Sequence, residues 1–445
     1  MLARQVIEDE TSKPMMRVLT RSSISSLLQH IQSGMANPPI GLVYTSHDRW
    51  PLPPSRQRSA PPCPKRLRIS VLDSSFNPPT LAHLALANHP RPRFASSDDD
   101  NKHSENEHYP DYDAKLLLLS VRNADKTLKP TDASFMQRIE MMMLLTDSIV
   151  AHPSLEHGTP FSGQPQNWAS TAQGPQDTHV TEANVAVAII DEPTFVGKSS
   201  ALLTFLRDRL ASLETLLSGA APTPPTTAGS PQSAEPRAPD IELTFLVGID
   251  TLERLFVPKY YASSDPTATP EENMLIALRK FMSSQPGGDN ARVVCARRIP
   301  TSTPSLPPRP SAQSASFDIK PSSTTLVTPS GASASPHARE EPLSSVLESG
   351  SMPSDQLQQA RMGPEQSIEF LQEFISSGRV AMIDIGENEQ TFSSSAVREM
   401  ISVSSSGRNP DEPHWRSEHA AWRQVVPEQV AQYVLAEGLY AIIQS

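Results

Sequence analysis

Six short apolar runs alternate with stretches of helical periodicity, and this alternation restricts the fold more than any other property of the chain. The runs cover residues 67–72, 115–121, 185–190, 241–249, 293–296 and 380–385. Each is brief, and the leucine-rich run at 115–121 is apolar enough for burial on both faces, as in a parallel sheet. Residues 40–45 can form a further strand. Between the runs, apolar residues return at helical spacing. Examples are Ile24, Leu27, Leu28 and Ile31; Phe135, Ile139, Met142 and Met143, in a helix that Asp132 can cap; and Leu202, Phe205, Leu206 and Leu210. Further helices are expected from Pro79, from Asp250, over 367–377 with Gly378 as the stop, over 393–401, and over 427–440. The pattern predicts an α/β fold, a Rossmann-like parallel sheet with helices on both faces. Crossovers should be right-handed. Ligands in such folds bind beyond the carboxyl ends of the strands.

Length alone argues for more than one domain, but composition argues for fewer. Of 445 residues, 44 are proline, and only 37% are hydrophobic and 5% aromatic. Much of the chain therefore cannot join a packed core. The expected arrangement is a single domain over 65–299 and 362–445. Disordered insertions interrupt it near 91–113, 152–182 and 218–240, with a low-complexity insertion at 300–361. An extension over 1–64 carries a short helix and a Pro-rich linker.

Composition also excludes several function classes. A formal net charge of −11 lacks the basic field of a nucleic-acid-coating protein, so no nucleic-acid partner is expected. No run approaches about 18 apolar residues, so no membrane span is expected. Cys63 and Cys295 cannot build a disulfide framework or a paired-cysteine zinc site. No His/Cys cluster has metal-ligand spacing, so no protein-held metal is expected. The opening MLARQVIEDE places acids where a signal peptide is apolar. The expected location is cytoplasm or nucleus or both. Oligomeric state is left open.

The chemistry-bearing residues cluster where the strand-end rule points. The first run is followed by Asp73-Ser74-Ser75-Phe76-Asn77-Pro78-Pro79-Thr80, then His83. Thr80 and His83 are three apart and share a helix face. That face lies in the first turn, where unpaired N–H groups and the helix dipole attract anions. Near the C-terminus, Ser393-Ser394-Ser395 precede Arg398 at another helix start. Hydroxyls, N–H groups and a guanidinium there form a second phosphate cradle. Gly197-Lys198-Ser199-Ser200 has the look of a P-loop tail, but the residue five before Gly197 is Glu192, not glycine.

Together these segments resemble the nicotinamide/nicotinate mononucleotide adenylyltransferase family, within the cytidylyltransferase-like nucleotidyltransferase superfamily. The family signature reads Gly-Ser-Phe-Asn-Pro and then Thr/His-x-x-His. Ser74 stands here in the place of the glycine, which bears on close backbone approach to phosphate. The Asp-Ser-Ser-Phe-Asn-Pro-Pro wording is similar to that of a fungal branch. Asn123-Ala124-Asp125-Lys126, with Lys129-Pro130 and Phe135-x-x-Arg138, resembles the family's Asn/Lys loop. Gly248-Ile249-Asp250 resembles its Gly-x-Asp, and Phe392 to Arg398 its Ile-Ser-Ser-Thr-x-x-Arg.

The resemblance implies adenylyl transfer from ATP, with Mg²⁺, to nicotinamide or nicotinate mononucleotide. It implies catalytic roles for His83, Thr80, Lys126 and Arg398. Nucleotide contacts would fall to Ser74, Ser75, Phe76, Asn77, Gly248, Asp250, Ser393, Ser394 and Ser395. Asn123, Phe195 and Lys198 are candidates for the acceptor. The closing segment around 426–440 is read as packing. Two alternatives stay open: a nucleotidyltransferase using CTP or pantetheine phosphate, and a nucleotide-binding regulator with weak ATPase activity.

Overall fold

All six apolar runs are strands of one eight-stranded sheet in the computed structural model, which describes residues 17–54, 65–94, 111–122, 129–149, 183–218, 239–261, 268–297, 372–405, 416–418 and 420–442. The strands are β1 (Arg17–Val18), β2 (Ile40–Thr45), β3 (Arg66–Asp73), β4 (Ala114–Ser120), β5 (Val185–Ile190), β6 (Asp240–Gly248), β7 (Arg292–Ala296) and β8 (Val380–Ile383). The helices are α1 (Arg21–Gln32), α2 (Leu81–Asn88), α3 (Phe135–Thr146), α4 (Phe195–Ser218), α5 (Ile249–Leu255), α6 (Pro270–Met282), α7 (372–376), α8 (Ser394–Ser405) and α9 (Glu428–Ala436). The chain divides into two compact units, Met1–Ile299 with Arg361–Ser445, and Pro300–Ala360. The second unit lies wholly outside the described residues, as do 95–110, 150–182 and 219–238 within the expected insertions.

The sheet order is β1-β2-β5-β4-β3-β6-β7-β8. Strands β3 to β8 pair in parallel. Counted among themselves they run third, second, first, fourth, fifth, sixth, the doubly wound order of a Rossmann-type sheet. The strand order reverses between β3 and β6, and the crevice beyond their carboxyl ends is the expected ligand position.

The extension read over 1–64 contributes to this same sheet. β2 pairs antiparallel with β5, and β1 antiparallel with β2. The sheet is therefore mixed rather than wholly parallel. An antiparallel strand commonly closes the edge of such sheets.

Burial follows the alternation of side chains along each strand. On one face Ile69, Val71, Leu116, Leu118, Ala188 and Phe245 pack under α4 and α6. On the other, Leu72, Leu117, Leu119, Val187 and Leu246 pack under α1, α2 and α3. A third cluster joins Met141 of α3 to Val397, Ile401, Trp422 and Val430. It seats α8 and α9 beside α3, and so fixes the C-terminal motif relative to β3.

Local signals explain most boundaries. Thr20 caps α1 by accepting from the Ser23 N–H. Thr269 and Glu272 form a reciprocal capping box around Pro270 at the start of α6. Gly378, at φ +64°, ends α7 as expected of a left-handed C-terminal glycine. Asp132, expected to cap α3, does not. Ser134 does, in a capping box with Gln137, which leaves Asp132 free for the site described below. At the opposite sheet end, Arg91 Nη2 donates to the fully buried Glu242 carboxylate at 2.8 Å. The Arg292 guanidinium lies over the buried Phe94 ring at 4.4 Å. The start of the expected 91–113 insertion is thus part of the packed unit. Among the described residues, no helix is long and apolar enough to cross a membrane.

Candidate active site

The turn after β3 carries the signature residues into the switch-point crevice. Phe76 adopts φ +45°, a conformation costly for a bulky side chain. Its ring is completely buried and lies 5.5 Å from the His83 imidazole. Thr80 is the N-cap of α2, and its side chain is fully buried. His83 Nδ1 accepts from the Thr80 N–H at 3.0 Å and lies 2.9 Å from Thr80 Oγ1. His83 Nε2 lies 2.8 Å from Ser74 Oγ. Thr80 therefore sits behind the imidazole as its orienting partner. Burial pushes the His83 pKa down to about 4, so the ring is neutral at physiological pH.

The second motif closes directly on the first. Ser394 Oγ donates to the Pro78 carbonyl at 2.7 Å, and Arg398 Nη1 to the Asn77 carbonyl at 2.5 Å. Ser393 Oγ accepts from the Ala396 N–H and so caps α8. Ser395 Oγ accepts from Arg398 Nη2 at 3.3 Å. Two segments more than 300 residues apart thus form one cradle at two helix N-termini.

Asp132 organises the contact. Its carboxylate accepts from Asn77 Nδ2 at 2.8 Å and from the Lys129 N–H at 3.1 Å. It also lies 3.6 Å from Arg398 Nε and 3.7 Å from Arg138 Nη2. Asn77 Oδ1 accepts in turn from the Ala133 N–H and from the Tyr440 hydroxyl at 2.9 Å. Tyr440, in the segment expected only to pack, therefore reaches the signature loop itself. Arg138 Nε anchors the network by donating to the Ala133 carbonyl. The sequence contained a signal for Arg138 but none for Asp132 as a hub or for Tyr440.

Phe195 and Lys198 lie in the first turn of helix α4. Lys198 Nζ pairs with Asp73 Oδ2 at 2.5 Å and sits over the Phe195 ring at 4.8 Å. Its charge is thereby shared with the end of β3. Gly248 is the N-cap of α5, and a Cβ placed there would meet no atom within 4 Å. Its φ of −87° does not demand glycine. The space beside it, at the carboxyl end of β6, is open. Asp250 is exposed in the first turn of α5. Ser75 is part-buried, and its carbonyl accepts from Arg138 Nη1 at 3.5 Å. Asn123 and Lys126 lie outside the described residues. No group of three or more His, Cys, Asp or Glu among the described residues is placed to hold a metal ion.

Gly248→Val is expected to leave the melting temperature nearly unchanged, because the added side chain meets open space. The expected nucleotide role of Gly248 requires that this substitution weaken ATP affinity in calorimetric titration, and unaltered affinity would remove Gly248 from the site.

Asp132 and His83 also set an acid response. Burial works to raise the Asp132 pKa. The Lys129 N–H, the Asn77 amide and the Arg398 and Arg138 guanidiniums outweigh it and hold the pKa below its usual value. A carboxylate so depressed contributes stability that is present above its unfolded pKa and lost as pH falls through the folded value. His83 acts earlier. Its folded pKa lies below its unfolded value of about 6.5, so stability falls between there and about pH 4. Urea midpoints should fall across both windows. Asp132→Asn should flatten the lower one and leave the upper one intact.

No protein-family model matches the sequence, and no curated protein matches it. Among solved structures, the chain aligns with Plasmodium falciparum nicotinic acid mononucleotide adenylyltransferase complexed with NaAD, at 9% identity and a TM-score of 0.31. It also aligns with the same Plasmodium falciparum protein complexed with APC, at 8% identity and a TM-score of 0.29. Each alignment covers 84% of this chain and 97% of the other. Values this low assign no activity.

Proposed function

We propose that the chain is an adenylyltransferase that joins AMP from ATP to nicotinamide or nicotinate mononucleotide. The products would be NAD or its deamido form, and pyrophosphate. The observation that carries this reading is the direct contact of the two motifs, Ser394 to Pro78 and Arg398 to Asn77. That contact brings two helix N-termini and a guanidinium together near the strand-order reversal, where ligands bind in such sheets.

The reaction needs no covalent help. A phosphate oxygen of the mononucleotide bonds to the α-phosphorus of ATP, and the bond from that phosphorus to the bridging oxygen breaks. Pyrophosphate departs with the electron pair. The acceptor is already an anion, so no general base is required. Two polyanions must meet, so positioning and positive charge dominate. Arg398 and the α8 N-terminus with Ser393, Ser394 and Ser395 would hold the triphosphate. Lys126 would join them. His83 serves as a neutral donor oriented by Thr80. Ser75, Phe76 and Asn77 shape the turn. Gly248 and Asp250 would serve adenosine. Asn123, Phe195 and Lys198 would line the acceptor end. Mg²⁺ would come with ATP, held by phosphate oxygens and water, as suits an ion that keeps several waters.

Turnover measured across ATP and CTP, with nicotinamide mononucleotide, nicotinate mononucleotide and pantetheine phosphate as acceptors, tests the assignment. Selective use of ATP with a pyridine mononucleotide supports it. A preference for CTP or pantetheine phosphate would replace it with another nucleotidyl transfer. A regulator that binds ATP without transferring AMP is the second reading. The neutral His83 and the Asp73-paired Lys198 favour it, because they leave less free positive charge than two polyanions call for.

A further inference from the structure

Ser74, where the resembling family has glycine, has a distinct place in the hydrogen-bond chain. A backbone N–H can only donate. The Thr80 N–H donates to His83 Nδ1 at 3.0 Å, so Nδ1 is an acceptor and carries no proton. The neutral ring must then hold its proton on Nε2. That nitrogen lies 2.8 Å from Ser74 Oγ, so Nε2–H donates and the serine oxygen accepts. The reverse polarity would need a proton on Nδ1, which the Thr80 N–H forbids. The Ser74 hydroxyl hydrogen is therefore not taken up by His83, and Ser74 stands just past the carboxyl end of β3, where ligands bind in sheets of this order.

We propose that the Ser74 hydroxyl makes the final hydrogen bond to an ATP phosphate oxygen, with His83 behind it fixing the polarity of the donor chain. The chain runs from the Thr80 N–H through His83 to Ser74 and then to phosphate. No proton is transferred; each group donates to the next. Ser74 is then the residue that touches substrate, and His83 and Thr80 position it. The proposal rests on the nucleotide reading above. Alanine at 74 would remove the donor and leave a methyl group in front of Nε2–H. Glycine would remove the Cβ as well, which leaves room for a water or a phosphate oxygen to meet Nε2–H. Threonine keeps the hydroxyl.

Two measurements test this on the full chain. Nitrogen-15 NMR of the histidine rings, with His83→Gln to assign the signal, should find His83 neutral at pH 7 and protonated on Nε2. Protonation on Nδ1, or an imidazolium, would overturn the relay. In turnover, Ser74→Ala should lose about 100-fold in kcat, the scale for one donor removed from developing phosphate charge. Ser74→Gly and Ser74→Thr should each lose clearly less. Equal losses for alanine and glycine, or no loss for alanine, would overturn the proposal. If the wild type forms no dinucleotide, the proposed reaction falls, and the relay is judged on ATP affinity. There Ser74→Ala should bind more weakly than Ser74→Gly and Ser74→Thr, and equal affinities or no ATP binding at all would overturn it.

Discussion

Asp132→Ala is expected to lower folding stability by about 1–3 kcal/mol, the range for stranding the hydrogen-bond partners of a part-buried charged group. The size follows from what is stranded. Arg138 loses its carboxylate partner, and the Asn77 amide loses its acceptor. Arg398 loses the charge that tethers its Nε. Activity should fall as well, by about 100-fold, because a catalytic group displaced by a fraction of its reach costs that much. Unfolding in urea and kcat/KM on the same preparation check both effects. A stability loss with unchanged kcat/KM would show that Asp132 supports the fold but not the cradle.

Arg398→Ala should show the opposite balance. Its side chain is 27% exposed, and Asp132 keeps Arg138, Asn77 and the Lys129 N–H when it is gone. The stability loss should therefore be smaller than for Asp132→Ala. Turnover should fall by about 1,000-fold, the upper range for removing one preorganised stabiliser of transition-state charge. Arg398→Lys should recover only part of this, because one ammonium cannot hold the Asn77 carbonyl and a phosphate with the same planar fork. Near-normal kcat with a folded Arg398→Ala protein would remove the second cradle from the mechanism.

The two variants separate roles that sequence patterns could only partly distinguish. Periodicity located all six parallel strands to within a few residues, since each is a short, mostly apolar run and all but the edge strand β8 pair on both sides. It also located the turn at Ser75 to Pro79 and the helix start at Ser393 to Arg398, because their residue types are unusual in those positions. The long-range partners were not legible. Asp132 sits shortly before a helix and looks like a cap; only the fold shows Ser134 in that place and Asp132 turned toward Asn77, Arg138 and Arg398. Tyr440 belongs to an apolar closing segment, and nothing local reveals that its hydroxyl reaches Asn77. Helix α6 was passed over although Thr269, Pro270 and Glu272 spell its start. The antiparallel pairing of β2 depends on which strand leaves an open edge, a property of the assembled sheet. Ser74 was visible as a departure from a family pattern. Its contact with His83 Nε2 became visible only with the turn folded.

The most direct test of the central claim follows atoms rather than variants. Purified protein is incubated with ATP, Mg²⁺ and either nicotinamide or nicotinate mononucleotide, and dinucleotide and pyrophosphate are quantified together. Adenylyl transfer predicts that the two appear in equal amounts with at least one acceptor, and that neither forms without it. Orthophosphate and ADP released at the same rate with and without acceptor, and no dinucleotide, would contradict it.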